Sequence, residues 1–231
     1  VGSYFDLAYL IKSFPVILSY VDTTLIITLV AAFMGMAIGS LVAFIRINQI
    51  AVLDKISAVY ISFFRGTPFL VQLFLAYFGL PELMQKLGYQ GIRDISPLFY
   101  VFIVFSLHFG AYGAEVIRSA ILAVDKGQLE AAYSIGMSPV QAYGRIVLPQ
   151  AFTMAIPALC NIIISTLKGT ALVFNVGVID MMRKADLLGA NSQRSLELYI
   201  DVAIIYILLV FIIGRLGAIL EKKAAYFVPH E

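Results

Sequence analysis

The chain has 231 residues, 61% of them hydrophobic and 13% charged, with a formal net charge of +2 and a mean hydropathy of +0.93. A soluble domain carries about a quarter charged residues and under half apolar ones. The excess here calls for a lipid bilayer as solvent and excludes both one soluble core and a disordered chain. The small net charge argues against nucleic acid as a partner. One cysteine, Cys160, and two distant histidines, His108 and His230, leave no disulfide framework, no Cys-based cluster and no paired-His metal site. They also make no nucleophile–base pair, so the sequence offers no catalytic site, and no GxxxxGK[ST] phosphate loop occurs in it.

Residues 1–21 mix apolar and polar side chains, including Asp6, Lys12 and Pro15. They read as an amphipathic segment at the interface; a span there gives the alternative, six-span topology. Gaps between charges then mark five spans, at about 23–45, 56–80, 96–117, 146–168 and 197–215. In the first, Gly35 and Gly39 form a small-xxx-small pair that lets another helix come close. The second carries Arg65, which either lines a pathway or marks the membrane surface with the span starting at Gly66. Thr67-Pro68 either breaks this helix and frees carbonyls or is a tolerated kink.

The third span starts near Ser96-Pro97 and carries His108, which either reads a solute or proton or is a hydrogen-bonded structural group. Tyr112 follows one turn later, and Glu115 and Arg118 are i,i+3 neighbours that either pair with each other or serve a gate. The fourth span ends in Lys168, which either meets the solute or snorkels to the outer interface. The fifth has a strictly uncharged core from Val202 to Gly214 and extends back to Glu197. Eight basic residues fall on the inner side and six on the outer if the N-terminus is outside and the C-terminus inside, which is the orientation the positive-inside rule favours. No soluble domain and no fixed-period repeat is found.

The segment 124–149, between the third and fourth spans, is more than a connector. Gln128 to Ile135 holds helix formers with no breaker, Asp125 suits an N-cap, and Gly136 ends the helix. Ser138 caps a second helix with Pro139 at its first position and Gln141 three residues on, and Pro149 comes where the chain turns into the membrane. Two short helices joined by a glycine bend make a compact knob on the inner side, suited to a cleft on a soluble partner.

Glu130-Ala131-Ala132, then Gly136, then nine residues, then Ile146-x-Leu148-Pro149 resembles the EAA loop of ATP-binding cassette (ABC) importer permeases. Arg65-Gly66-Thr67-Pro68 followed by Gln72, Ala111-Tyr112-x-Ala114-Glu115-x-x-Arg118, and Asp125-Lys126-Gly127-Gln128 resemble segments of the polar amino acid permeases in that family. Arg194-Ser195-Leu196-Glu197 leans towards the cystine-type members.

The resemblance implies an all-α membrane protein: a single transmembrane permease domain over 1–231, with five transmembrane helices of the type I ABC importer kind and a cytoplasmic helix-turn-helix EAA coupling loop. It would be multi-pass in a bacterial inner membrane. It would be the permease subunit of an ATP-driven amino acid importer, for polar amino acids or cystine, with alternating access driven through the loop. The implied partners are a second permease subunit, identical or related, two ABC ATPase subunits and an extracytoplasmic amino-acid-binding protein. ATP and Mg would be held by the ATPase and no cofactor by this chain.

Coupling to the ATPase falls to Glu130, Ala131, Ala132, Gly136, Ile146, Leu148 and Pro149. The candidate substrate pathway takes Arg65, Thr67, Gln72, His108, Tyr112, Glu115, Lys168 and Thr170. At 168–170 the family reads Lys, then an acidic residue or Asn, then Ser or Thr; Gly169 departs from it. The alternative function is an ion-gradient-driven secondary amino acid carrier, which calls for intramembrane acids and internal repeats. Between the span limits there is almost no acid besides the boundary Glu115.

Overall fold

The computed structural model describes residues 5–89 and 95–224, and the regular structure among them is entirely helical. Helix α1 (Leu7–Leu18) starts at Asp6, whose side chain accepts from the Tyr9 N–H at 3.1 Å. It buries Ser13 and Ile17 against the rest of the chain. Helix α2 (Val21–Ile47) is the first long apolar helix. It packs most extensively on α5 (Pro97–Ala123). The glycines allow this: a Cβ on Gly35 would fall 2.6 Å from Phe109 Cβ, and one on Gly39 3.1 Å from the Ala114 nitrogen. Gly110 of α5 answers from the other side, where a Cβ would meet Ile38 at 2.8 Å.

The region read as one span at 56–80 is two helices, α3 (Ala51–Gly66) and α4 (Phe69–Lys86), bent by 114°. Pro68 has no N–H to continue α3, and its ring pushes Thr67 out of the helical region, to φ −117°, ψ 146°. The Thr67-Pro68 pair is therefore a sharp break rather than a simple kink. A π-turn at Leu75–Gly79 lies within α4.

Asp125 caps α6 (Lys126–Ser134), and Gly136 takes φ +82° in the bend that follows. The next helical run, α7, covers Pro139–Val176 without interruption. It begins as the turn Pro139–Ala142, passes through a π-turn at Tyr143–Val147, continues as α-helix over Leu148–Gly169 and ends in a 3-10 stretch, Thr170–Val176. The turn expected at Pro149 is thus not a turn. The π-turn directly before it widens the helix where Pro149 has no N–H to give, so the chain runs on.

Helix α8 (Met181–Ser192) follows Gly177 at φ +85°, and α9 (Ser195–Ala224) closes the described chain. Helices α2, α5, α7 and α9 are each long and apolar enough to cross a membrane, and the bent pair α3–α4 makes a fifth crossing if taken as one span. One core joins α2, α4, α5 and the end of α7 around Ile27, Leu73, Phe105 and Val173. A second clamps α1 and α8 onto α9 through Ile17, Met181, Leu198 and Ile205. A third packs α5 against α7 through Ala120, Val147 and Leu159, with Leu129 of α6 resting on it.

Candidate functional site

Helices α5 and α7 face each other with two matching stripes. On α5 the residues His108, Tyr112, Glu115 and Ser119 recur at helical spacing on one side; on α7, Ala158, Ile162, Ser165 and Gly169 do the same. Two cavities lie between them. The first, about 340 Å³, is lined by Phe69, His108, Tyr112, Asn161, Ser165 and Gly169 among others. The second, about 520 Å³, is lined by Arg65, Tyr112, Glu115, Ser119, Met154 and Ala158 among others. Tyr112 and Ile162 border both, so the two adjoin in a column along the helices. Each is of the size that holds a small solute.

The bend between α3 and α4 sets the wall of the first cavity. The buried Gln72 side chain reaches back from α4: its Nε2 donates to the carbonyls of Phe64 at 2.8 Å and Thr67 at 3.0 Å, and lies 2.9 Å from Thr67 Oγ1. The Thr67 hydroxyl itself donates to the Phe63 carbonyl at 2.7 Å. Gln72 Oε1 meets His108 Nδ1 at 2.9 Å. Phe69 meets the His108 ring edge-on, with ring centres 4.8 Å apart, and Tyr112 packs on it tilted, at 4.9 Å. Thr67, Gln72, His108 and Tyr112, proposed separately from sequence, are thus one connected unit.

Arg65 joins this unit from the side of the second cavity, its guanidinium 5.5 Å from the centre of the Tyr112 ring. Glu115 and Arg118 pair at 2.9 Å, and the Glu115 side chain also faces that cavity. Lys168 and Thr170 stand apart. Lys168 is exposed and borders neither cavity. Thr170 is fully buried; it donates to the Leu167 carbonyl at 2.7 Å and meets the Tyr206 hydroxyl at 3.0 Å, tying α7 to α9. At Gly169 an added Cβ would only touch Phe69 and Phe105 at 3.8 and 3.7 Å, so the cavity has room beside it.

Sequence reading passed over Asn161 and Ser165, whose signal is their polar spacing on one face of an apolar helix. It also did not anticipate that three acids are buried. Asp201 is fully buried and accepts from Ser13 Oγ at 2.6 Å; Glu197 accepts from the Asp6 N–H at 2.9 Å and from Arg194 at 3.2 Å. Together they fasten α1 to α9. Asp180 is fully buried, caps α8 by accepting from the Arg183 N–H at 2.9 Å, and is pushed by burial above the ordinary carboxylate range.

In the loop, Glu130 and Ala131 are exposed and Ala132 is buried. Ser138 and Gln141 form a reciprocal capping box, with the Ser138 N–H donating to Gln141 Oε1 at 2.9 Å. Ile135 and Val140, on either side of the Gly136 bend, are 78% and 83% exposed. Ile146 and Pro149 are half-buried and Leu148 is exposed along the start of α7.

Residues 35–226 match the family described as binding-protein-dependent transport system inner membrane component. The chain belongs to this family. It is accordingly a multi-pass protein of the inner membrane. It is 39% identical to the L-cystine transport system permease protein TcyL of Bacillus subtilis (strain 168) over 219 residues, 95% of this chain and 91% of the relative. It is 37% identical to the arginine transport system permease protein ArtQ of the same organism over 218 residues, 94% and 96% of the two chains. Among solved structures it matches an amino acid ABC transporter crystallised with histidines, with a TM-score of 0.84 and 33% identity over 95% of this chain and 99% of that one. Inward-facing structures of the MetNI methionine ABC transporter share the fold, with a TM-score of 0.72 at 20% identity over 90% of this chain and 95% of that one.

Proposed function

We propose that the chain is the transmembrane permease subunit of an ATP-driven amino acid importer, with a polar amino acid or cystine as its solute. Its relatives include cystine and arginine permease proteins, and the aromatic and polar column between α5 and α7 has the volume for one such solute. Hydrolysis belongs to separate ATPase chains that hold ATP and Mg, and delivery to an external binding protein. A second permease subunit faces this one. The N-terminus lies outside and the C-terminus in the cytoplasm, with the 124–149 loop on the inner face.

The observation that carries the coupling reading is the continuity of α7. The turn that begins at the Ser138 cap runs without a break into the helix that presents Ile162, Ser165 and Gly169 to the first cavity. A push on the loop is therefore a push on the cavity wall. The knob that takes the push is built by Glu130, Ala131, Ala132 and Gly136, and the lever by Ile146, Leu148 and Pro149. Motion of this rod against the α3–α4 break would open the column to one side and then the other.

The test is co-expression with the ATPase and binding-protein genes, purification of the complex and ATP-dependent uptake of labelled L-cystine and other polar amino acids into liposomes. Glu130→Ala and Gly136→Pro should lose the ATPase or uncouple hydrolysis from uptake. If no ATPase accompanies the unaltered chain, and uptake persists on an ion gradient without ATP, the chain is a secondary carrier instead.

A further inference from the structure

The hydrogen bonds around Gln72 fix which nitrogen of His108 carries the proton. One end of the Gln72 amide lies 2.8 and 3.0 Å from the carbonyl oxygens of Phe64 and Thr67. A carbonyl oxygen only accepts, so this end is the NH₂ group, and the other end, Oε1, faces His108 Nδ1 at 2.9 Å. Oε1 is also only an acceptor, so Nδ1 must donate. A neutral imidazole has one N–H. Nε2 is then a bare lone pair.

That lone pair is free. Nε2 makes no hydrogen bond among the described residues, it is not sealed from solvent, and the ring borders the first cavity. The ring cannot easily turn away, because Phe69 and Tyr112 pack on it. Among the described residues no carboxylate, lysine or arginine lines this cavity; its other polar groups are Tyr112, Asn161, Ser165 and Thr166. A carboxylate would be repelled by the lone pair. An ammonium group would be accepted by it, beside the aromatic rings of Phe69, Phe105 and Tyr112 that attract cations.

We propose that His108, held as its Nδ1–H tautomer by Gln72, is a solute-binding residue of the first cavity and accepts a hydrogen bond at Nε2 from the ammonium group of the solute. Gln72 is the positioning residue. This rests on the reading of the chain as an amino acid permease, whose solutes all carry such a group.

The chain has two histidines, so His230→Asn leaves His108 as its single imidazole. The labelled form is made with ¹⁵N-histidine and a non-histidine tag, assembled with unlabelled ATPase subunits in nanodiscs, and its ring nitrogens are read by NMR. The expected spectrum has a protonated Nδ1 and a bare Nε2, and addition of L-cystine or L-arginine shifts Nε2 more than Nδ1. In liposomes with the binding protein, His108→Leu should lower uptake kcat/KM about 10- to 100-fold, the worth of one hydrogen bond to a charged group. His108→Gln, which keeps an acceptor, should recover most of it. A proton on Nε2, or uptake by His108→Leu equal to that of the unaltered complex, overturns the proposal while leaving the transport reading intact. If the unaltered complex takes up no amino acid, the transport reading fails first and the role of Nε2 with it.

Discussion

The Gln72 side chain crosses the break in the second span to donate to the Phe64 carbonyl, eight residues earlier, at 2.8 Å. Helix ends leave carbonyls without intrahelical partners, and Pro68 makes this end abrupt. Replacing Gln72 by Leu leaves the half-buried Phe64 and Thr67 carbonyls without this donor. An unsatisfied buried group costs about 1–3 kcal/mol, so Gln72→Leu should lower the thermal midpoint of the purified complex by several degrees. Gln72→Glu, similar in shape but with no N–H to give, should lose a comparable amount. A midpoint unchanged in both would show that the bend stands without this side chain.

Two glycines separate close helix packing from mere composition. A Cβ at Gly35 would sit 2.6 Å from Phe109 Cβ, whereas one at Gly214 on α9 would meet nothing within 4 Å. Gly35→Ala should force α2 and α5 apart and cost about 1–3 kcal/mol, as overpacking does. Gly214→Ala should leave stability unchanged or slightly raised, because alanine favours helix. Unfolding of the two variants in rising sodium dodecyl sulfate checks this: equal loss in both would mean that Gly35 is not at a close crossing.

Charge gaps made the long apolar helices readable, since hydrocarbon solvation is a property of local composition. The Gly35–Gly39 seam and the capping signals around Ser138 were readable for the same reason. The 114° break was only half readable: Thr67-Pro68 announces a disturbance, but the contacts across it, Gln72 back to Phe64 and His108 of α5 to Gln72, lie outside that dipeptide. The burial of Asp201 was not readable because Ser13, which donates to one of its two oxygens, lies 188 residues away. Lys168 and Thr170 are neighbours in sequence to the cavity-lining Gly169, yet helical geometry turns them to other faces.

Asp180 should make stability depend on pH in a defined sense. Burial raises its carboxyl above the ordinary range, so the folded chain holds that proton more tightly than the unfolded chain. The sign follows from linkage: this group favours folding most at acid pH, and its contribution falls as pH rises from the unfolded value through the raised folded one. Asp180→Asn keeps an oxygen for the Arg183 N–H and cannot ionise. The variant should match the unaltered chain at acid pH and exceed it at neutral pH in thermal midpoint. A variant weaker than the unaltered chain at neutral pH would mean that the carboxylate has a charged partner.

The loop tip gives the last test, because it exposes two large apolar side chains. Ile135 and Val140 are 78% and 83% exposed on the two sides of Gly136, where solvation alone favours polar side chains. Such residues contribute little to the stability of the chain and fit the centre of a docking surface. Ile135→Glu and Val140→Glu should leave the thermal midpoint of the permease alone almost unchanged. Each should weaken retention of the ATPase by roughly 30-fold, the effect of losing about 2 kcal/mol at an interface centre. Gly136→Ala acts differently: at φ +82° an L side chain costs about 1–2 kcal/mol, so this variant should distort the knob and reduce coupling while some binding survives. Quantitative pull-down of the ATPase, paired with uptake per ATP hydrolysed, separates the two effects. Full retention with both glutamates would move the docking surface away from the tip.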